Sequence, residues 1–258
     1  MEFEDLILKN DDETINEVIR LIRKKIVNKE EYVILRYGDG EAIILQNQYL
    51  NKIVVDRFKK LFGYIPSNNY YKTFRNSYIK SLSCTDIASF QTSKWLNNIS
   101  KWFYNEMINK YIKRDTIIIP ISVTDKIFKY HLSDIIKPTD DVVLLCCRIE
   151  AKEKIHELTG AIIREVISIP SEYKFRKCFN EKNKSSQIPE RMNDIINNEI
   201  PQKVKKGTVV LIGSGPTKVM YSDAIKKMGG ISIDIGSTFD TLCGYITRGI
   251  NKGTKIKI

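Results

Sequence analysis

Histidine is almost missing from this chain of 258 residues: only His131 and His156 occur. A histidine-rich metal centre is therefore excluded, and oxygen ligands remain the route to a metal. Cysteine is sparse too, with five residues in no metal-ligand spacing. Cys146 and Cys147 fall inside the apolar run "DVVLLCC", where small buried thiols are common. An odd, unpatterned set of thiols fits a reducing, cytosolic compartment. No apolar stretch approaches the roughly 20 residues of a membrane span. The start, "MEFEDLILKNDDE", is acidic where a secretory signal would be basic, so no export signal is expected. There is no zinc finger, RNA-binding aromatic motif, internal repeat or low-complexity linker. A nucleic-acid reading would rest on charge alone, and no specific nucleic-acid partner is expected.

What the chain does have is apolar content of 42%, enough for a substantial core in one large α/β domain or two small ones. Charged residues make up 28%, interspersed with apolar segments, as in an ordered globule. Lys and Arg number 42 against 31 Asp and Glu, a net charge of +11. That surplus favours encounter with polyanions: nucleic acid, an anionic membrane surface or phosphorylated substrates. Most of it is scattered, as on a solvated surface.

Apolar residues at 15, 18, 19, 22 and 26 predict a helix after a cap in "NDDET". "EYVILRY" reads as a buried strand, 52–63 as a helix, and 64–90 resists assignment. Residues 91–113 return to helical spacing, so 52–113 is a candidate helical subregion. Further on, strands "TIIIPIS", "DVVLLCC", "EVISIP", "GTVVLIG" and "GISIDIG" alternate with helices at 125–136, 150–159, 188–205 and 216–229. A basic polar loop spans 172–187. Continuous apolar strands between helices predict a Rossmann-like, mainly parallel sheet with helices on both faces. Ligands bind such sheets beyond the carboxyl ends of the strands. Three segments end there: "RYGDGE", "IPSEYKF" and "IGSGPTKV".

In "RYGDGE", Asp39 and Glu41 are two residues apart. In extended geometry their side chains leave one face, with Cα atoms roughly 6–7 Å apart. Gly40 lets the carboxylates converge, and Mg²⁺ or Mn²⁺ accepts one or two of them beside water and phosphate oxygens. Arg36 can contact phosphate or hold a carboxylate in place. On spacing alone the alternative is equal: a turn in which Asp39 caps a helix starting near Glu41. In "GSGPTK", Gly213 and Gly215 allow close backbone approach, Pro216 suits a first helical turn, and free N–H groups with Ser214 and Thr217 can hold an anion. The segment lacks the third glycine of G-x-G-x-x-G and the G-K-[ST] of a Walker A loop. Asp234 and Asp240 follow the next strand, as ribose acceptor or general base. In the third segment, Pro170 and Ser171 end a strand, and Tyr173, Lys174, Phe175, Arg176 and Lys177 make a basic-aromatic loop able to stack a base and neutralise a diphosphate. A tight strand-to-helix turn and a solvated basic turn are the plain alternatives for these two segments.

Together the three segments resemble the bacterial glycosyltransferases of the GT-D fold, long a domain of unknown function. That family carries R-x-G-D-G-E, then I-x-x-P with an aromatic stretch, then G-x-G-P-T-x-K-V and D-I-G. Here these are Arg36–Glu41, Ile169–Ser171 with Tyr173 and Phe175, and Gly213–Val219 with Asp234–Gly236. The resemblance implies a single domain over 1–258 and transfer from a nucleotide sugar, typically UDP-linked. It implies a divalent metal, Mn²⁺ or Mg²⁺, on Asp39 and Glu41. Arg36, Gly38, Gly40, Pro170, Ser171, Gly213, Ser214, Gly215, Pro216, Thr217, Lys218 and Asp234 would lie against the donor. Where family members often have histidine after D-I-G, this chain has Ser237, so Asp240 is the candidate base. The expected acceptor is a glycan, glycoprotein or lipid-linked sugar. The expected location is the cytoplasm, with peripheral contact at the inner face of the membrane. Two other readings remain. One is an S-adenosylmethionine-dependent methyltransferase, whose motif I the last segment also resembles. The other is a non-catalytic nucleotide- or polyanion-binding module.

Overall fold

The computed structural model describes residues 11–47, 49–90, 109–113, 115–176 and 186–245. Helix α1 spans Asp12–Val27. The Asp11 carboxylate accepts the Thr14 N–H at 2.8 Å, satisfying one of the unpaired donors of its first turn. The predicted stripe Ile15, Val18, Ile19, Ile22 and Ile26 is its buried face. Strand β1, Tyr32–Tyr37, follows and is buried throughout. After it come α2 (Asp39–Gln46), α3 (Lys52–Phe62), α4 (Asn68–Ser81) and β2 (Ile87–Phe90). Then come β3 (Ile117–Pro120), α5 (Ile121–Tyr130), α6 (Leu132–Ile136), β4 (Val142–Cys146), α7 (Ala151–Thr159) and β5 (Ile163–Ser168). An irregular helical stretch, α8, covers 187–203 in α and wider turns. It leads to β6 (Val209–Gly213), a 3₁₀ turn at Gly215–Thr217, α9 (Lys218–Lys227), β7 (Ile231–Asp234) and α10 (Thr238–Leu242).

The seven strands form one sheet in the order β3-β2-β1-β7-β6-β4-β5, and every neighbouring pair is parallel. The expected α/β, Rossmann-like architecture with helices on both faces is what the chain adopts. Side chains alternate across the sheet, so β1 feeds two cores. Val33, Leu35 and Tyr37 pack beneath α2, α3, α4, α8 and α9, with Phe58, Phe62, Phe74, Tyr78 and Tyr221. Tyr32 and Ile34 face the other core, under α1, α5, α6, α7 and α10.

Some expectations need correction. The 52–113 subregion is not all helical, because it carries β2; 64–90 holds α4 and that strand. Much of the expected 91–113 helix lies outside the described residues, which resume with a short turn at Asn109–Tyr111. The 125–136 helix begins earlier, at Ile121, and breaks at His131 into α5 and α6. β5 is an edge strand with Arg164 and Ser168 exposed, and its apolar residues divide between the two cores, Ile167 in one and Ile163 with Val166 in the other. Among the described residues, no helix is long and apolar enough to cross a membrane.

Candidate functional site

The order of the sheet reverses where β1 meets β7, and there the two strands part. Their pairing runs Tyr32–Ile231, Val33–Ser232, Ile34–Ile233 and stops. β1 then stays on β2 as far as Tyr37, and β7 stays on β6 as far as Asp234. The Asp234 carboxylate fills the gap: its Oδ2 accepts the Arg36 backbone N–H at 3.2 Å. A side chain replaces the missing strand partner, and a cleft opens beyond it.

Five charged side chains meet at that opening. Lys218 Nζ lies 2.9 Å from Glu41 Oε1 and 2.9 Å from Asp234 Oδ2. Arg36 Nη1 donates to Asp125 Oδ1 at 2.8 Å, and its Nε is 3.7 Å from Asp234 Oδ2. Arg36, Lys218, Glu41 and Asp234 are all buried, whereas the Asp125 side chain is 57% exposed. Burial pushes the Asp234 carboxyl up, but the charges and hydrogen bonds of Lys218 and Arg36 outweigh it and hold it below the usual carboxylate range. Gly236 makes room for this arrangement. Its φ is +45°, and a Cβ there would run into the Arg36 guanidinium.

Glu41 is placed by its own helix. Gly38 is the cap residue of α2, and its backbone N–H donates to Glu41 Oε2 at 3.0 Å. The extended spacing expected for Asp39 and Glu41 is therefore wrong, and in the capped-helix alternative the cap is Gly38 rather than Asp39. The helix begins at Asp39 itself, and positions two apart lie about 200° apart round a helix axis. The Asp39 side chain is outside what the structure describes, so of the expected metal pair only Glu41 is seen on the cleft wall.

Among the described residues no three His, Cys, Asp or Glu side chains group as a metal cage. A smaller site fits. Glu41 offers roughly four acceptor directions and uses two. Arg36 and Lys218 against Glu41, Asp125 and Asp234 leave a formal charge of 2 − 3 = −1. That balance suits an ion held by one or two carboxylates, water and substrate phosphate.

The cleft has two compartments. The larger, about 570 Å³, is lined by the cations Arg36, Arg57, Lys174 and Lys218, with Gly38, Gly40, Glu41, Pro216 and Asp234. The smaller, about 50 Å³, is lined by Pro170, Ser171, Phe175, Gly213, Ser214 and Asp240. Glu172, Gly215, Gly236 and Ser237 line both. The three strand-end segments are thus brought together, but not every residue takes its expected part. Thr217 is fully buried: its hydroxyl donates to the Ser214 carbonyl at 2.9 Å and accepts from Gln187 at 2.6 Å. It holds the turn rather than an anion. Ser214 Oγ is buried and makes no hydrogen bond to any described residue, the state a ligand group would relieve. Gly213 makes room for protein rather than ligand, since a Cβ there would lie 2.5 Å from the Phe239 ring. Asp240 is held by Arg148, Nε to Oδ1 at 2.9 Å. The Tyr173 ring packs over Gly63 at the end of α3.

Sequence reasoning missed Arg57, Asp125, Arg148, Glu172 and Gln187. Arg148 follows the carboxyl end of β4 two residues on, so the strand-end rule applied to "DVVLLCCR" would have found it. Glu172 sat inside a segment read only for its basic and aromatic members. Asp125, Arg57 and Gln187 project from helical segments and carry no local signal.

No family model matches the sequence, and no curated protein does. Among solved structures, a selenomethionine-substituted form of domain of unknown function 1792 (DUF1792) aligns with a TM-score of 0.50 and 15% identity, covering 92% of this chain and 85% of its own. The chain has the fold of that domain. A second structure, described as showing that the highly conserved domain 1792 has a distinct glycosyltransferase fold, aligns at TM-score 0.49 and 14% identity over the same shares. In this chain the cleft between β1 and β7 is lined by the three segments that the sequence singled out, together with Arg57, Asp125 and Gln187 from neighbouring helices.

Proposed function

We propose that this chain is a metal-dependent glycosyltransferase that moves a sugar from a nucleotide donor, UDP-linked, to a glycan, glycoprotein or lipid-linked acceptor. The observation that supports it most is the make-up of the larger compartment. Four cations, Arg36, Arg57, Lys174 and Lys218, and four carboxylates, Glu41 of the D-x-E sequence with Asp125, Glu172 and Asp234, line a cleft at the carboxyl ends of β1 and β7. The chain's fold is that of domain 1792, the domain that the second structure's description calls a distinct glycosyltransferase fold.

In this reading Arg36, Arg57, Lys174 and Lys218 receive the donor diphosphate; Arg36 and Lys218 are buried and preorganised by their carboxylates, whereas Lys174 is exposed at the rim. Glu41 would hold Mn²⁺ or Mg²⁺, which when bound neutralises charge on the departing diphosphate without supplying a proton, and Asp39, about 200° away round α2, would serve the same ion through water. Gly38 and Gly40 allow close approach. Ser214 Oγ, buried in the smaller compartment, takes a hydroxyl or carbonyl of the ligand. Asp240 lies on that side and accepts the acceptor proton, with Arg148 fixing its orientation. The chain's basic surplus suits an anionic donor and, among those acceptors, one carried on a lipid phosphate at the membrane face.

Donor hydrolysis and transfer with a panel of UDP-sugars, with and without Mn²⁺, test the proposal. Glu41→Gln should cost about 10²–10³ in turnover, the scale of losing one preorganised electrostatic group. Full activity in Asp39→Ala and Glu41→Ala would remove the metal assignment, and preferential binding of S-adenosylmethionine over UDP would replace the whole reading.

A further inference from the structure

The metal and donor readings meet at one side chain. Lys218 Nζ sits on Glu41 Oε1, the carboxylate proposed as a metal ligand, at 2.9 Å. It also sits on Asp234 Oδ2 at 2.9 Å, and all three side chains are at least nine-tenths buried. A divalent ion and an ammonium cannot both draw fully on the Glu41 oxygens at that separation, because the two cations repel in a site of low dielectric. Lys218 also lines the compartment that the donor diphosphate would enter. It therefore has a second anionic partner available once a nucleotide arrives.

We infer that Lys218 is an exchangeable counter-cation. Without donor it occupies Glu41 and keeps a divalent ion weakly bound. With donor its ammonium turns to the diphosphate and frees Glu41 for the metal. The residue acts by position, through Glu41, and rests on the reading of the cleft as a metal- and nucleotide-binding site. Its consequence is positive coupling between metal and nucleotide, and linkage requires that coupling to be reciprocal. Asp234 anchors the aliphatic arm's end during the exchange, being tied also to the Arg36 N–H at 3.2 Å.

Calorimetry or Mn²⁺ electron paramagnetic resonance on the full chain decides the matter, because it reads binding rather than turnover. In the native chain, Mn²⁺ should bind at least tenfold more tightly with UDP present than without. Lys218→Met should bind Mn²⁺ alone at least tenfold more tightly than the native chain, with the UDP-dependent gain reduced to about twofold. Adding Glu41→Gln should abolish that tight binding. Lys218→Gln, which can still hydrogen-bond both carboxylates, repeats the test should the Met variant fail to fold. Lys218→Arg should restore weak metal binding. A merely structural lysine would give the opposite sign, since a disordered site loses metal affinity. Unchanged or weaker Mn²⁺ binding in the charge-removed variants overturns the inference while leaving the metal reading intact if the native chain binds Mn²⁺ with UDP. Absence of Mn²⁺ binding in every variant overturns both.

Discussion

The two ends of the central strands each carry a lysine–aspartate pair, and the two pairs are built differently. At the amino end, Lys226 Nζ meets Asp86 at 2.7 and 2.5 Å and also donates to the Cys84 carbonyl at 2.9 Å. Asp86 in turn accepts the Val33 N–H at 2.8 Å. One cation faces one anion, backbone groups take the remaining bonds, and both side chains keep about a fifth of their surface in water. At the carboxyl end, Lys218 is shared by two carboxylates, Arg36 by two more contacts, and the set is an acid in excess. The first pair ties β1 and β2 to α9 and is complete within the protein. The second is drier, sits where strands part, and has a net charge that a ligand can balance. Ion pairing in itself therefore says little about function; stoichiometry and the neighbouring space say more.

The largest expected effect breaks the carboxyl-end set. Asp234→Ala leaves Lys218 and Arg36 with fewer anions in a buried site, and removing one partner of such a set costs about 3–5 kcal/mol. Asp86→Ala, with Lys226 able to reach water, should cost clearly less, about 1–3 kcal/mol with the Val33 N–H losing its acceptor. Urea unfolding of the two variants gives the ratio, and equal losses would erase the distinction. Acid titration adds a sign. The Asp234 carboxyl is held low in the folded chain, so its stabilisation is present above about pH 4, the unfolded value, and is lost as pH falls through the lower folded value. Asp234→Asn should flatten that acid limb of the stability curve.

A smaller effect sharpens the role of Arg36. Gly236→Ala puts a methyl where the guanidinium lies and asks alanine to hold φ +45°. Backbone strain of this kind costs on the order of 1–3 kcal/mol. The expected outcome is a folded chain, less stable by that amount, with UDP binding weakened at least tenfold as Arg36 is displaced. Thermal unfolding and UDP calorimetry check both parts. An unchanged nucleotide affinity would show that Arg36 serves the sheet and not the ligand.

How far the sequence told this is itself uneven. The strands β1, β4, β6 and β7 were legible because both faces of each are covered, which makes continuous apolar runs. Glycine-marked strand ends pointed to the cleft for the same reason. The segment holding α4 and β2 was not legible: Tyr71, Phe74 and Tyr78 are core residues hidden among Asn, Ser and Lys, and β2 is four residues long. The D-x-E acids were located but their geometry was misread. A Gly cap has no side chain to signal a helix start, so "GDGE" looked extended when Glu41 was completing the cap. Lys218, expected against the donor, is found clamped between Glu41 and Asp234, a contact between residues 177 and 16 positions apart that no local pattern encodes.

The smallest effect concerns the one acid of the set that faces water. Asp125 is 57% exposed while Arg36 is 9% exposed, so their 2.8 Å contact joins a solvated carboxylate to a buried guanidinium. Asp125 is solvated, and Arg36 keeps Asp234 beside it, so Asp125→Asn should change stability by only about 0–1 kcal/mol. Its asparagine oxygen can still accept from Arg36 Nη1, so the guanidinium keeps its aim. What changes is charge: the set moves from −1 to neutral. If the negative balance draws a cation into the cleft, Asp125→Asn should weaken Mn²⁺ binding several-fold, and the difference should shrink as salt rises, because the removed charge is exposed and screened. Mn²⁺ titrations at two ionic strengths measure it. A salt-independent loss would mean that Asp125 touches the ion, and no loss at all would mean that the excess acid at the carboxyl end is as structural as the pair at the amino end.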